Sequence, residues 1–323
     1  MENTRTPGRR AILAGAAAAT ATLGAAFAAR AQGVETPVKY STGTAPPRLR
    51  APADAADCHH HVYDARFPPI PNAALRPPDA SPDDYRALKR RLGLGRSVLV
   101  QPSTYGTDNR LHLEALRDLG PERTRMVAVV NTEVTDEELR RMHALGVRGI
   151  RFNLSPPGTT TLDMVEPLSR RVHALGWHCQ FNMPPGALVE AAPLLERLPS
   201  RVVIDHLGRV PVEQGVNHPA YAAVRRLLDK GNGWVKLSGA YMDTKVGAAG
   251  NYADTIPVAR GYAAAAPERC VWASDWPHVT APDPKPDDAQ LLDLLAEWVP
   301  DEAARRRVLV DNPAELYDFP RAA

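Results

Sequence analysis

The sequence predicts an α/β fold, a closed (β/α)8 TIM barrel, and three observations support this fold class. Short apolar runs of strand length alternate with amphipathic stretches of helical period. The runs number eight, and the roughly 270 residues that contain them match the length of one such barrel. Polar side chains follow several runs, where the carboxyl ends of barrel strands form a mouth. The predicted strands are AADCHHHV (55–62), RSVLVQ (96–101), RMVAVV (125–130), VRGIRFN (147–153), WHCQFN (177–182), RVVIDH (201–206), GWVKLS (233–238) and CVWASD (270–275).

The predicted helices between these strands have recognisable boundaries. Ser81-Pro82 begins one helix, and the capping box Thr135-x-x-Glu138 begins another. Glycine just past a last helical turn adopts the left-handed conformation at little cost, so it ends the helix and leads into the next strand. Four glycines stand at such positions: Gly93, Gly120, Gly146 and Gly176.

An open, doubly wound sheet is the main alternative, because it has the same alternation of strands and helices. No GxGxxG motif follows the first strand, however. The reactive side chains follow strands one, two, four, six and eight. A barrel brings all of these strand ends around one mouth, whereas an open sheet spreads them along an edge. The positions of the side chains therefore favour the barrel.

Composition and charge limit the classes of partner. The chain has 323 residues, of which 44% are hydrophobic and 24% charged, so it can bury the core of one large domain. Its 39 basic and 37 acidic residues leave a formal charge of +2. Such a balance, without long basic runs, predicts no nucleic-acid or lipid partner and favours a small neutral or anionic substrate. The sequence does not fix the oligomeric state.

The N-terminal region resembles a twin-arginine export signal. Arg9 and Arg10 precede an alanine-rich run, and residues 29–31 (ARA) form a small-x-small cleavage pattern. We therefore predict a cleaved signal peptide over 1–31, recognition by the twin-arginine export machinery, and a periplasmic or secreted mature protein beginning near Gln32. The run is weakly apolar for a stable membrane anchor, which is the alternative. Residues 32–52 are predicted to be a flexible linker, and residues 53–323 the barrel.

Three adjacent histidines at the end of the first strand predict a site. Side chains alternate along a strand, so His59 and His61 share one face and His60 points to the other. The pair can therefore point together into the barrel mouth. Two imidazoles at this spacing can hold one metal ion or polarise one substrate carbonyl.

Two further strands bring candidate catalytic groups to the same mouth. His206 ends the sixth strand, although a single histidine there is often structural. Asp275 follows the eighth strand, and Trp276 and His278 follow it in the loop. A carboxylate at this position can activate a water molecule. Its alternative role is to cap a helix, which the sequence Trp-Pro-His does not favour.

Strands two and four contribute a hydroxyl and a guanidinium. Ser103 follows the second strand, and Arg151 lies among apolar residues of the fourth. Burying an unpaired arginine is costly, so Arg151 is expected to face an anion. That anion is either a substrate carboxylate or a carboxylate of the barrel itself, and the sequence leaves both open.

These motifs together resemble the amidohydrolase-related lactonases, the group typified by 2-pyrone-4,6-dicarboxylate lactonase. The resemblance runs from about Asp57 to Tyr317 through DCHHHVYDARFP, SVLVQPSTYGTDN, RGIRFN, VVIDHLGRVPVEQG, WASDWPH and NPAELY. It implies a barrel of the amidohydrolase type and a hydrolase that opens a small lactone. The catalytic residues that it implies are Asp275 as general base and His59, His61 and His206 around the carbonyl. The substrate-binding residues are expected to be Arg151, Ser103, Tyr105, Asn182, Tyr241 and His278.

The sequence departs from this group where its members bind a second carboxylate. Pro157 and Met242 stand where the dicarboxylate lactonase has arginines, and Asn182 stands in place of a tyrosine. The departures favour a neutral or monoanionic lactone. The resemblance implies that no cofactor is required. The alternative is one divalent ion such as zinc, held by His59, His61 and Asp275, with His206 as a further candidate.

Two other functions are compatible with these residues. A metal-dependent decarboxylase or amidase on the same barrel uses the same histidine pair and aspartate. A non-catalytic periplasmic solute-binding protein is compatible with export. Such a protein gains nothing from a carboxylate base beside three imidazoles, however, and it usually has two lobes. The sequence therefore favours an enzyme.

Overall fold

The computed structural model of the protein describes residues 1–2, 37–154 and 158–320. These residues contain eight strands, each within or close to a predicted run: β1 Ala56–His60, β2 Arg96–Val100, β3 Thr124–Ala128, β4 Val147–Asn153, β5 His178–Asn182, β6 Arg201–Ile204, β7 Gly233–Leu237 and β8 Cys270–Trp272. Each strand pairs in parallel with the next, in the order β1 to β8.

The α-helices of the described residues surround the sheet. Their bounds are α1 Pro82–Leu92, α2 Arg110–Leu119, α3 Asp136–Leu145, α4 Val165–His173, α5 Pro185–Leu195, α6 Pro219–Asp229, α7 Ala240–Asp243, α8 Ile256–Ala265, α9 Asp288–Trp298, α10 Glu302–Arg306 and α11 Asn312–Leu316. On α1 the buried residues Tyr85, Leu88 and Leu92 recur at helical spacing, so one apolar face packs on the barrel. Ser81 caps this helix by accepting from the Asp84 backbone N–H, as a capping box requires.

The barrel closes between β8 and β1 just beyond the regular pairing. The Asp275 N–H donates to the His59 carbonyl at 2.9 Å, and the His61 N–H donates to the Trp276 carbonyl at 2.9 Å. These bonds place the polar ends of the first and eighth strands side by side. The structure confirms the predicted (β/α)8 barrel.

A buried carboxylate also joins β1 to the segment after β8. Asp57 accepts hydrogen bonds from the Ser274 hydroxyl at 2.6 Å, the Ser274 N–H at 2.9 Å and the Tyr85 hydroxyl at 3.1 Å. Burial raises the pKa of Asp57 from the ordinary 3.8 to about 6, although the bonds from Ser274 act in the opposite direction. Asp57 is therefore a buried acid whose protonation is coupled to closure of the barrel.

Replacing Asp57 by asparagine is expected to remove a pH-dependent part of the stability. Because the folded state holds this proton more tightly, the contribution is present below pH 4 and is lost as the pH rises through 6. The difference between the free energies of unfolding of the wild type and of Asp57→Asn should decrease by about 3 kcal/mol as the pH rises from below 4 to above 6. Urea titrations at several pH values measure it. A difference that stays constant with pH would contradict the assignment, and Asp229→Asn, at an exposed carboxylate, is the control.

The described part of the segment before β1 differs from the free linker predicted over 32–52. The side chain of Arg91 donates to the Ala45 carbonyl at 2.9 Å, and the Trp276 indole donates to the Lys39 carbonyl at 2.8 Å. Val38 is buried as well. Residues 37–52 have no helix or strand but lie against the barrel, because arginine and tryptophan side chains of the barrel satisfy their carbonyls.

The predicted signal peptide, apart from its first two residues, lies outside the described residues. Within residues 1–2, 37–154 and 158–320, no helix combines the length and the apolar character that crossing a membrane requires.

Candidate active site

Three of the predicted residues meet at the end of the barrel where β1 and β8 emerge. His59 Nε2 lies 3.2 Å from His61 Nε2. Asp275 Oδ1 lies 3.5 Å from His59 Nε2 and 3.6 Å from His61 Nε2. All three side chains are nearly or fully buried. The alternation of β1 produces the pair, because His60 points to the opposite side and stacks on Tyr85 with ring centroids 3.4 Å apart.

His206 completes the group from β6. Its Nε2 atom lies 3.8 Å from Asp275 Oδ1, and its ring centroid is 5.0 Å from that of His59. Three imidazole Nε2 atoms therefore face one carboxylate oxygen. We refer to His59, His61, His206 and Asp275 as the catalytic cluster.

Two members of the catalytic cluster have backbone conformations that are unusual for residues with a side chain. The φ angle is 64° at Asp275 and 50° at His206. Non-glycine residues seldom adopt this left-handed region, and they do so most often at binding and catalytic sites. In both places the chain turns sharply at the end of a strand, so the side chain points across the mouth.

Contacts on the far side of each group fix its orientation. His61 Nδ1 lies 2.7 Å from the Val100 carbonyl, which can only accept, so this nitrogen carries a proton. His206 Nδ1 lies 3.1 Å from the Ser238 hydroxyl. The Tyr241 hydroxyl donates to Asp275 Oδ2 at 2.6 Å, which leaves Oδ1 facing the imidazoles.

A layer of buried polar residues, which no sequence motif assigned to the site, lies next to His59. The Lys236 ammonium lies 3.1 Å from His59 Nδ1 and donates to Gln180 Oε1 at 2.8 Å. Asp205 Oδ1 lies 3.4 Å from Lys236 Nζ and 3.3 Å from His59 Nδ1. Gln180 Nε2 in turn donates to Asp205 Oδ2 at 3.0 Å. The lysine within the otherwise apolar run GWVKLS is the sequence feature that could have indicated this layer.

Burial and neighbouring charge set the protonation of the catalytic cluster. Burial alone would raise the pKa of Asp275, but His206, His61 and His59 outweigh it and hold the pKa well below its usual range. Burial, together with the Lys236 charge, holds the pKa of His59 well below its usual range. Burial also lowers the pKa of His206. An ionised carboxylate thus faces two neutral imidazoles at neutral pH.

In the polar layer formed by Lys236, Gln180 and Asp205, each buried charge has a partner of opposite charge. Burial would raise the pKa of Asp205, but Lys236, His59 and Arg151 hold it well below its usual range. Burial lowers the pKa of Lys236, while Asp205 acts against this shift. Asp205 is therefore an ionised carboxylate with cationic partners, whereas Asp275 faces histidines at the mouth.

Of the two partners left open for Arg151, the structure shows a carboxylate of the barrel. Arg151 Nε lies 3.3 Å from Asp205 Oδ2, and Nη1 lies 3.5 Å from the Gln101 carbonyl. This arginine thus helps to neutralise the polar layer. Asp205 directly follows β6. The sequence pattern does not reveal how β6 is aligned with the neighbouring strands, so this partner of Arg151 could not be predicted.

The other predicted substrate-binding residues occupy different environments. His278 is fully buried, and its Nε2 atom lies 3.1 Å from both carboxylate oxygens of Asp288, so this nitrogen faces protein. The Tyr105 hydroxyl accepts from the Asp64 N–H at 3.1 Å. The Asn182 side chain donates to Asn153 Oδ1 at 3.1 Å.

Ser103 and Met242 are partly exposed at the ends of β2 and β7. Ser103 begins a single 3₁₀ turn that ends at Tyr105. The predicted departure at Pro157 lies outside the described residues.

The spacing within the catalytic cluster fits a small divalent cation. His59 Nε2, His61 Nε2 and Asp275 Oδ1 are 3.2, 3.5 and 3.6 Å apart. Two ligand atoms of a tetrahedral zinc ion are about 3.4 Å apart, given bonds of about 2.1 Å. With the proton on Nδ1, a neutral His61 would offer Nε2 to the ion, as a metal ligand requires. His59, Asp205 and His206 form a second group with compatible spacing.

Comparison with known proteins identifies the family. The amidohydrolase family model matches residues 56–319. The D-galactarolactone isomerase of Agrobacterium fabrum is 34% identical, with 87% of this chain and 96% of the relative aligned. The 4-sulfomuconolactone hydrolase of Rhizobium radiobacter is 37% identical, with 85% of this chain and 93% of the relative aligned. The 2-pyrone-4,6-dicarboxylate hydrolase of Comamonas testosteroni is 34% identical, with 84% of this chain and 92% of the relative aligned.

The matches cover nearly the whole barrel and more than nine-tenths of each relative. They confirm the resemblance seen in the motifs and the prediction of an enzyme rather than a solute-binding protein. The chain is therefore a (β/α)8-barrel enzyme and belongs to the amidohydrolase family.

Proposed function

We propose that this enzyme hydrolyses a small lactone, with Asp275 as general base and the three histidines as the groups that stabilise the oxyanion. The observation that carries the proposal is the convergence of three imidazole Nε2 atoms on one oxygen of an ionised carboxylate at the barrel mouth. Acyl transfer to water requires a base for the water and hydrogen-bond donors for the developing oxyanion. The catalytic cluster supplies both kinds of group within 4 Å of each other.

In the proposed reaction, a water molecule beside Asp275 Oδ1 attacks the carbonyl carbon of the lactone. Asp275 takes the proton of the water as the new carbon–oxygen bond forms, and imidazole N–H groups stabilise the oxyanion. Collapse of the tetrahedral intermediate breaks the bond to the ring oxygen. The proton held by Asp275 passes to that oxygen, which leaves as an alcohol or enol. No covalent intermediate with the enzyme is needed.

Asp275 is a better candidate for the base than Asp205, the other carboxylate near His59. Asp205 is within 3.4 Å of the Lys236 ammonium and the Arg151 guanidinium, and its side chain has no exposed surface. Asp275 retains 8% side-chain exposure, and its Oδ1 faces imidazoles rather than an ammonium or a guanidinium group. A base must reach the water that it deprotonates, so access favours Asp275.

The relatives support a lactone as the substrate, since the names of all three contain a lactone or a 2-pyrone, which is an unsaturated cyclic ester. Within the described residues, the mouth favours a substrate with little negative charge. Arg151 is held by Asp205, and Arg209 forms a two-point ion pair with Asp243 at 2.6 and 2.8 Å. Guanidinium groups that are already paired bind a further carboxylate weakly. The isomerase among the relatives makes lactone isomerisation the second candidate.

The buried charges support turnover without a required ion. Lys236 and Arg151 both pair with Asp205, which leaves a net positive charge beside His59 to balance the carboxylate of Asp275. If a divalent ion binds, His59, His61 and Asp275 would hold it, and it would polarise the carbonyl and acidify water. Metal analysis, followed by rates before and after chelation, tests this point. A stoichiometric ion that is lost together with activity would contradict ion-independent turnover.

A panel of lactones tests the proposed reaction. It should include a pyrone dicarboxylate, a sulfonated muconolactone and neutral sugar lactones, with acid release followed by a pH indicator. We expect at least one neutral or monoanionic lactone to be opened at least about tenfold more efficiently than the dicarboxylate, because the paired arginines offer no second carboxylate site. Folded protein that opens no member of the panel would contradict the proposal.

We further propose that the enzyme acts outside the cytoplasm. The support is the sequence of residues 1–31, with Arg9-Arg10, an alanine-rich run and a small-x-small motif. N-terminal sequencing of protein from the periplasmic fraction is expected to begin near Gln32. Replacing both arginines by lysine should leave the precursor in the cytoplasm. Exported protein that begins at Met1 would contradict cleavage.

A further inference from the structure

Strand β7 and the turn after it contribute no member of the catalytic cluster, yet three of their side chains contact it. Lys236 Nζ lies 3.1 Å from His59 Nδ1. Ser238 Oγ lies 3.1 Å from His206 Nδ1. The Tyr241 hydroxyl lies 2.6 Å from Asp275 Oδ2. One segment of six residues thus reaches three of the four groups, which come from three other strands.

All three contacts are made to the atom that faces away from the centre of the cluster. The segment touches Nδ1 of His59 and of His206 and Oδ2 of Asp275, while Nε2 and Oδ1 face one another. A group held by its rear atom cannot rotate without losing that hydrogen bond. The segment therefore restricts the orientation of reacting groups without itself occupying the place of the substrate.

Gly239 allows the turn to approach His206 closely. Its φ angle is 71°, and a Cβ atom there would lie 2.8 Å from His206 Cβ, nearer than real Cβ contacts. Only glycine combines this conformation with this approach. The sequence Ser-Gly-Ala-Tyr after β7 thereby places the hydroxyl of Ser238 and the ring of Tyr241 on either side of the cluster.

Tyr241 is itself held rigidly by a buried pair. Its ring packs edge-to-face on His278, with centroids 5.0 Å apart at 88°. His278 Nε2 lies 3.1 Å from both oxygens of Asp288, and both side chains are fully buried. The His278 ring therefore supports the cluster through Tyr241, and the His278 backbone N–H donates to the Asp275 carbonyl at 3.0 Å. This arrangement gives a role to two residues that the sequence predicted to bind substrate.

We propose that residues 236–241 form a positioning element, in which Lys236, Ser238 and Tyr241 act on the reaction only through His59, His206 and Asp275. The proposal rests on the proposed function, since it concerns the same cluster. Tyr241 gives its sharpest test, because it makes the shortest of the three contacts, to the proposed base.

Tyr241→Phe removes one hydroxyl and is expected to free the Asp275 carboxylate to rotate. Small misplacements of a reacting group cost up to about a hundredfold in rate. We expect kcat to fall about 10- to 100-fold and KM to change less than about threefold, since the hydroxyl does not bind substrate. Ser238→Ala should lower kcat in the same way. A dominant rise in KM would instead place Tyr241 in the substrate site and overturn the proposal.

Tyr262→Phe is the matched control. The Tyr262 hydroxyl is buried and has no hydrogen-bond partner within the described residues, so the same chemical change removes no bond. Its kcat and KM should equal those of the wild type. Thermal denaturation of both variants separates loss of positioning from loss of folding. A Tyr241→Phe enzyme with wild-type kcat would overturn the proposal while leaving lactone hydrolysis intact.

A crystal structure of Tyr241→Phe supplies a readout that does not depend on activity. We expect the Asp275 carboxylate to be rotated or disordered, with Oδ1 no longer within 4 Å of all three Nε2 atoms. An unchanged Asp275 would overturn the proposal, even if the wild type hydrolysed no lactone. Failure of the proposed function, by contrast, would appear as absence of turnover in the wild type itself.

Discussion

Replacing Asp275 by asparagine is expected to abolish lactone hydrolysis while the barrel remains folded. The amide has nearly the same shape as the carboxylate but cannot accept the proton of the attacking water. Because the neighbouring histidines hold the pKa of Asp275 well below its usual range, the wild-type group is ionised at neutral pH and ready to act as a base. General base catalysis contributes a factor of about 10² to 10⁴, so kcat should fall at least about a hundredfold.

Initial rates on the best lactone, together with circular dichroism of both proteins, measure this effect. Asp283→Asn is a matched control, because Asp283 follows the same strand and its side chain is 87% exposed. Its rate should remain within about twofold of the wild type. An Asp275→Asn enzyme that kept more than about a tenth of the wild-type rate would show that another group activates the water.

Replacing Lys236 by methionine is expected to destabilise the fold strongly. The ammonium has no exposed surface and lies within 3.4 Å of Asp205, His59 and Gln180. Its removal leaves the charge of Asp205 with Arg151 as the remaining cationic partner. Removing one partner from a buried ion pair typically costs about 3 to 5 kcal/mol, so the free energy of unfolding should fall by that amount.

Urea denaturation measures this loss, and two further variants interpret it. Lys230→Met removes a half-exposed ammonium that pairs with Glu196, and such surface pairs contribute less than about 1 kcal/mol. The double variant Lys236→Met/Asp205→Asn should recover part of the stability, because the uncompensated charge is gone. A loss below about 1 kcal/mol for Lys236→Met would show that Lys236 does not compensate Asp205.

The fold could be predicted from the sequence because barrel strands and helices leave strong local patterns. Seven of the eight apolar runs contain the observed strand, β3 begins one residue before its run, and β4 matches its run VRGIRFN residue for residue. The contacts of the segment before β1 could not be predicted in this way. Residues 37–52 lack periodicity, which resembles a free linker, but their carbonyls bind side chains of Arg91 and Trp276 from distant parts of the chain. No local pattern records such contacts.

The catalytic cluster could be predicted for a similar reason, since each member lies at the end of a strand or shortly after it, and these ends meet at the mouth. The polar layer beside it could not. Gln180, Asp205 and Lys236 lie within or at the end of apolar runs, and their meeting depends on the register between β5, β6 and β7. A sequence motif shows which face of its own strand a side chain lies on. It does not show which residues of the neighbouring strands lie beside it, because that depends on the register between the strands.

Arg151 and His278 illustrate the same limit for substrate contacts. Each is a polar residue near the end of a strand, and each has a buried carboxylate partner, Asp205 and Asp288 respectively. The sequence shows that a charged group needs a partner, but only the fold decides whether protein or substrate supplies it.

The most direct test of lactone hydrolysis is turnover in water enriched in ¹⁸O, followed by mass spectrometry of the product. Attack of Asp275-activated water on the carbonyl carbon predicts a ring-opened hydroxy acid with one ¹⁸O atom, located in the new carboxylate. The Asp275→Asn enzyme should form the labelled product at least about a hundredfold more slowly. A product that keeps the mass of the lactone and carries no label would contradict hydrolysis and identify the enzyme as a lactone isomerase.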